Sequence, residues 1–362
     1  MERDESRCLG TAFWIEKPVP AYPPGMSLPV LTFAPGPVYT WGMTVKPLRI
    51  GTRASPLALA QTQGFIDALQ RCHPGYPCEP GYPCEIVKIV TSGDQTQASN
   101  RPLSDSGNKG LFTKEIEEAL LKKDIDCAVH SMKDMPTRLP SGLIISCVLP
   151  REDVRDVLFS RHPDGIDGLP QGAVVGTASL RRQALMLALR PDLKVTVMRG
   201  NVGTRLQKLQ DGTVDATLLA AAGLNRLGVA FDARQILAES ILLPAAAQGA
   251  VGIETRADDT ATQNLIAAVH CRLTYLQITA ERAFLDVMDG SCKTPIAALM
   301  QRPDPMNRAR FDALVAKTDG SDVKKISLVM EVLHEGDADR LGRYAGEELR
   351  KQLPSDFLQA DK

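Results

Sequence analysis

The sequence predicts an α/β protein: two strand–helix units followed by a smaller α+β unit. Three observations predict it. Strand-length apolar runs alternate with helical runs from Leu48 to Ala220; the alternation breaks once, near Pro150 to Asp156; and after residue 271 the order changes to helix, strands, helix. Leu48 to Ile50 reads as a strand, and Ser55-Pro56 opens a helix, with Ser as N-cap and Pro at the first helical position. Glu85 to Val90 and Cys127 to Val129 read as strands around a helix over Lys114 to Lys122. Val174 to Gly176 leads to a helix capped by Ser179, Val195 to Val197 leads to a helix over Val202 to Gln210, and Ala216 to Ala220 is a further apolar run. The alternation implies mostly parallel sheets covered by helices. Leu273 to Val287 has a helical pattern, Phe311 to Ala316 and Ile326 to Val332 read as strands, and Asp337 to Lys351 reads as the last helix.

The 362 residues suffice for two or three domains with their own cores. A formal net charge of −1 gives no bulk attraction to nucleic acid or to an anionic membrane. No apolar run is long enough to span a bilayer, and the first residues lack the basic start and apolar stretch of a signal peptide. A cytoplasmic protein with reduced thiols is therefore expected, since its eight cysteines form no compact framework. Residues 1–42 are Pro-rich and read as a disordered extension, with Met43 as the natural start. Gly75 to Glu79 is repeated at Gly81 to Glu85, beside Cys72 and His73; the cysteine spacing of six does not match close zinc-ligand pairs, and no metal is expected.

The arginines carry the chemical signal. Arg53, Arg181, Arg182, Arg199 and Arg205 all fall between a strand and the first turn of the next helix, where the helix dipole disfavours a cation. A surface arginine is the ordinary reading of any one of them. Five in equivalent places point to a shared anionic ligand at the carboxyl ends of strands. On this reasoning, Arg182→Leu and Arg199→Leu are expected to cost ligand binding and leave stability nearly unchanged. A second cluster is His130-Ser131-Met132-Lys133-Asp134-Met135-Pro136, where an apolar strand ends in polar residues and then a Pro. A third is Gly290 to Pro295, which puts Cys292 on a loop beside Lys293, a setting that favours the thiolate.

Together these segments resemble the hydroxymethylbilane synthase (porphobilinogen deaminase) family. The carrying segments are Arg49 to Ala58, Lys109 to Phe112, His130 to Pro136, Val175 to Gln183, Arg199 to Arg205 and Gly290 to Pro295, and the likeness runs from Leu48 to the final helix. The resemblance implies two α/β domains like those of solute-binding proteins plus a small α+β C-terminal domain carrying the cofactor cysteine. The implied division is 43–150 with 245–270, then 151–244, then 271–362. It implies that Cys292 carries a dipyrromethane cofactor through a thioether. Four porphobilinogen molecules then condense in turn with loss of ammonia, and hydrolysis frees hydroxymethylbilane. Asp134 is implied as the catalytic group. Ser131, Lys133, Thr177, Ser179, Arg181, Arg182, Arg199, Gly200 and Arg205 are implied to hold the cofactor, and Arg53, Ser55, Arg226 and Lys109 the substrate. A monomer is implied.

The sequence departs from the family pattern at Ser291 and Ala297, where Gly is usual, at Ala246-Ala247-Gln248-Gly249, where Val-Gly-Gln-Gly is more common, and at Asp105, where Lys is frequent. Two other readings remain. One is a non-catalytic solute-binding protein of the same architecture, and the other is a Cys-dependent hydrolase that pairs Cys292 with His130.

Overall fold

Strand β1 (Leu48–Arg53) starts the fold because Leu48 and Ile50 are buried in one core with the apolar face of helix α1 (Pro56–Cys72). The computed structural model describes residues 46–72, 83–93, 113–232, 235–288, 294–354 and 357, all in the compact unit Val45–Lys362. The predicted cap is present: Ser55 Oγ accepts the Ala58 N–H at 3.3 Å, Pro56 follows it, and Phe65, Ile66 and Leu69 form the buried stripe of α1. Residues 1–42, most of the Gly75–Glu85 repeat, Asp105, Lys109, Ser291 and Cys292 lie outside the described residues.

The first sheet has the order β2-β1-β3-β10-β4, with β2 (Cys84–Ile89), β3 (Cys127–Ser131), β4 (Leu143–Val148) and β10 (Val251–Arg256). Helix α2 (Lys114–Leu121) packs Ile116 and Leu120 onto it with Ile125 and Ala128. The second sheet has the order β7-β6-β8-β5-β9, with β5 (Asp156–Ser160), β6 (Val174–Gly176), β7 (Lys194–Thr196), β8 (Ala216–Ala220) and β9 (Ile236–Leu237). Helices α3 (Leu180–Leu189), α4 (Val202–Gln210) and α5 (Ala221–Arg226) follow β6, β7 and β8 in turn. The expected parallel core is there, but neither sheet is purely parallel. Strand β10 runs antiparallel to β3 and β4, and β5 runs antiparallel to β8 and β9. A strand that returns through its own crossover helix must be parallel to the one before it. Strands β5 and β10 instead enter each sheet from the chain crossing between the two sheets, so that constraint does not apply. All six residues of β10 are buried, as a strand covered on both faces must be.

Helix α6 (Thr260–Ile266) precedes the C-terminal domain, which comprises helix α7 (Arg272–Val287), the antiparallel sheet of β11 (Ile296–Met300), β12 (Arg308–Ala316) and β13 (Val323–Glu331), and helix α8 (Glu335–Arg350). Phe284 meets Phe311 edge to face at 5.8 Å, and Leu341, Ala345 and Leu349 close the same core. Gly342 lets α8 come against the backbone of α7 at Ala280, where any Cβ would collide. The departure at Ala297 is accommodated: its methyl is fully buried with Leu314 and Leu185, between the third sheet and the second. The fold is thus two α/β domains and a small C-terminal α+β domain.

Candidate functional site

The polar side chains collect at the carboxyl ends of the parallel strands. Strand β3 ends at Ser131, and the 3-10 turn Met132–Asp134 follows at once, with Met132 buried and Asp134 exposed. Asp134 lines a pocket with Arg53, Ser55, Gln61, His130 and Ser131. Gln61 was not singled out from the sequence. It is buried on α1, and its amide is hydrogen-bonded to Ser131 Oγ at 2.8 Å, which fixes one wall of the pocket. One of three Gln residues on an amphipathic helix, it gives no signal until its burial is known.

His130 is 6% exposed, and its Nε2 lies 3.0 Å from the fully buried Glu254. That partner sits on β10, and Cys292, the thiol of the hydrolase reading, lies outside the described residues.

On the second sheet, Ser179 caps α3 as expected, its Oγ accepting the Arg182 N–H at 3.4 Å, while the Thr177 hydroxyl accepts the Ser179 N–H at 3.1 Å. Arg181 and Arg182 occupy the first turn, but they do not project into solvent. Both clamp Asp156 at the start of β5: Arg181 donates to Oδ2 at 2.7 Å and Arg182 to Oδ1 at 2.6 Å. Arg181 also donates to the Leu243 carbonyl at 2.7 Å and Arg182 to the Leu218 carbonyl at 2.8 Å. The expectation that Arg182 could be removed at little cost to stability is therefore corrected, because a fully buried carboxylate depends on it. Asp156, which carries no local signal in the sequence, is held well below the usual carboxylate range; desolvation alone would raise it, but the two guanidinium charges outweigh that effect. One carboxylate against two cations leaves a net positive charge. The Nε–H of each arginine is buried and meets no acceptor among the described residues.

Arg205 donates from Nε to the Gly200 carbonyl at 2.9 Å, which closes the turn ahead of α4. Burial pushes its pKa down to about 10, Arg182 adds to that effect, and Asp134 opposes it. Lys133 is likewise lowered by burial, with Asp134 and Asp156 opposing and Arg181 and Arg182 reinforcing. Asp134 and Arg182 thus act on both Lys133, at the end of the first sheet, and Arg205, on a helix of the second. Arg199 is half-buried, and its carbonyl accepts from Lys208 at 3.5 Å. Arg226 donates to the Gly249 carbonyl at 2.7 Å at the crossover between the sheets. Gly249 has φ +86, and a Cβ there would stand 2.5 Å from the Glu152 carbonyl, so this crossover requires glycine. Neither Lys109 nor Cys292 is among the described residues. No cluster of metal-ligating side chains occurs among the described residues.

A polycarboxylate suits this chemistry: several guanidinium groups, a net positive buried cluster, two unmatched N–H donors and a single carboxylate at the pocket rim. The comparisons agree. The family described as "Porphobilinogen deaminase, dipyromethane cofactor binding domain" matches residues 48–264, and "Porphobilinogen deaminase, C-terminal domain" matches residues 275–351. The porphobilinogen deaminase of Paracoccus denitrificans is 50% identical over 312 residues, covering 86% of this chain and 96% of its own. The chloroplastic one of Oryza sativa subsp. japonica is 46% identical over 315 residues, covering 86% and 85%. Among solved structures, the methionine binding protein MetQ overlaps 63% of this chain and 91% of its own at TM-score 0.37 and 15% identity, too loosely to carry an argument. On the two matched domains and on near-half identity across almost the whole length of curated relatives, the chain belongs to the porphobilinogen deaminase family.

Proposed function

We propose that Asp134 is the catalytic group of this transferase and that Cys292 anchors its dipyrromethane. As a family member the chain is a hydroxymethylbilane synthase: it joins four porphobilinogen molecules head to tail, releases an ammonia at each addition, and frees hydroxymethylbilane by hydrolysis. When bound, the dipyrromethane would supply the free pyrrole carbon that the first unit joins, each later unit joining the pyrrole added before it. The protein's own groups do the rest. Arg181, Arg182, Arg199 and Arg205, with Lys133, Ser131, Thr177, Ser179 and the Gly200 backbone, hold acetate and propionate groups of the cofactor. Arg53, Ser55, Arg226 and Lys109 serve the incoming substrate. The carboxylate of Asp134 faces the pyrrole N–H groups and opposes the positive charge that develops as ammonia leaves, a charge absent from the aromatic ring of the ground state. The observation that carries this reading is the pocket in which the Asp134 carboxylate stands with Arg53, Ser55 and Ser131 at the carboxyl end of β3.

In the same reading the division is 43–150 with 245–270, then 151–244, then 271–362, and the protein is a cytoplasmic monomer without nucleic-acid or membrane partners. Its net charge of −1 supports the absence of a polyanionic partner. Among the described residues, no helix is long and apolar enough to cross a membrane. The test is the intact mass of the purified protein and of Cys292→Ser. The parent should carry an adduct of dipyrromethane size and the variant should lack it while remaining folded. An adduct that survives the substitution, or maps to another cysteine, removes Cys292 from the assignment.

A further inference from the structure

Residues after Asp134 have no strand partner among the described residues that would fix them. Met135 donates back to the Met132 carbonyl at 3.3 Å, Pro136 has no N–H to give, and the carbonyls of residues 135–137 belong to no ladder. One side chain takes all three. Arg282, on α7, donates to the Pro136 carbonyl at 2.7 Å, the Thr137 carbonyl at 3.1 Å and the Met135 carbonyl at 3.4 Å. One turn further along the same helix face, Asp286 accepts from Arg138 Nε at 3.0 Å and from the Thr137 hydroxyl at 3.5 Å. Burial lowers the pKa of Arg282, and Asp286, Glu254 and Tyr275 oppose that effect. Of these, Glu254 is the partner of His130, the residue just before Ser131 in β3. The polar turn is thus gripped on its far side by a helix of another domain. Only a guanidinium has the planar fork of donors to serve three carbonyls at once; a lysine ammonium at that place serves fewer and with less fixed geometry.

We infer that Arg282 is a positioning residue for the reaction: it fixes the Asp134 turn to helix α7, so that the carboxylate keeps its station over the reacting pyrrole. The inference rests on the reading of Asp134 as the catalytic group. It is distinct from a merely stabilising contact, because the loop it holds carries Asp134 at its other end. A shift of the order of 1 Å in a reacting group is worth about a hundredfold in rate.

The test uses the full chain with its cofactor attached, as Arg282→Met, Arg282→Lys and Asp134→Asn beside the parent. Intact mass reports the adduct, thermal melting reports the fold, and porphobilinogen consumption gives kcat and KM. Arg282→Met should lose at least tenfold in kcat, with KM within about threefold, the adduct present and the melting temperature close to that of the parent. Arg282→Lys should fall between Arg282→Met and the parent; it also carries the comparison should Arg282→Met prove insoluble. Parental kcat in both Arg282 variants overturns the inference, and so does a loss of rate that merely follows a loss of adduct or of melting temperature. Parental turnover in Asp134→Asn would overturn the underlying reading of the site. An inactive Asp134→Asn beside fully active Arg282 variants would remove only the positioning role.

Discussion

Replacing Arg182 with Leu separates the two roles this residue holds. Its guanidinium supplies one of the two cations on Asp156, whose side chain is fully buried, and it also donates to the Leu218 carbonyl. The substitution leaves Oδ1 with only the Gln248 amide, at 3.0 Å, and leaves the Leu218 carbonyl without that donor. Removing one partner of a buried ion pair costs about 3–5 kcal/mol. The remaining Arg181 bond at 2.7 Å and the Gln248 contact put the expected loss at the lower end, about 3 kcal/mol. Urea unfolding monitored by circular dichroism should show it as a lower midpoint at unchanged slope. The pH dependence has a definite sign. Because the folded pKa of Asp156 is depressed, its contribution is fully present above the unfolded value of about 3.9 and is lost as pH falls toward the folded one. The deficit of Arg182→Leu should therefore be largest at neutral pH and should narrow below about pH 4. A double-mutant cycle with Asp156→Asn should show non-additivity above about 1 kcal/mol. A loss under about 1 kcal/mol at neutral pH, or strict additivity in the cycle, would falsify the claim that this pair is a structural element as well as a part of the anion site.

Further outcomes are open to measurement. Asp134→Asn, with the cofactor already attached, should turn over porphobilinogen about a hundred- to a thousandfold more slowly, since it keeps the shape and loses the charge; a rate within a few-fold of the parent would reduce Asp134 to a turn residue. Ala247 holds φ +59, where an L side chain is strained, so Ala247→Gly should raise stability by about 1 kcal/mol, read as a higher urea midpoint; a lower midpoint would mean that its buried methyl contributes more than the strain costs. Glu281, fully buried, binds Arg151 at 2.7 and 2.8 Å and accepts the N–H groups of Ala247 and Met300 at 2.6 and 3.0 Å. Glu281→Gln should cost about 3 kcal/mol and lower the melting temperature; a neutral effect would show that the Arg151 charge finds another partner.

The chemistry was legible in the sequence wherever residue type and local context suffice. The Ser55 and Ser179 caps, the βα order and the polar turn after β3 depend on neighbours within a few positions, and the structure has each of them. The repeated placement of arginines just after strands pointed to an anion because the helix dipole makes such placement unfavourable without one. Segment order alone supported the family resemblance that the domain matches then established.

What the tertiary structure decided concerns partners distant in sequence. Asp156 gives no local sign that it will lie between Arg181 and Arg182, nor does Gln61 that it will brace Ser131, nor Arg282 that it will hold the carbonyls of residues 135–137. The direction of β5 and β10 was equally hidden, since it follows from the chain passing between sheets. By itself the sequence determined the fold class, many of the elements and the family, because these are written in short-range pattern and residue type. The choice of which arginines also support the fold was left to the tertiary structure, because a buried charge must be matched by whatever the folded chain brings within hydrogen-bond reach.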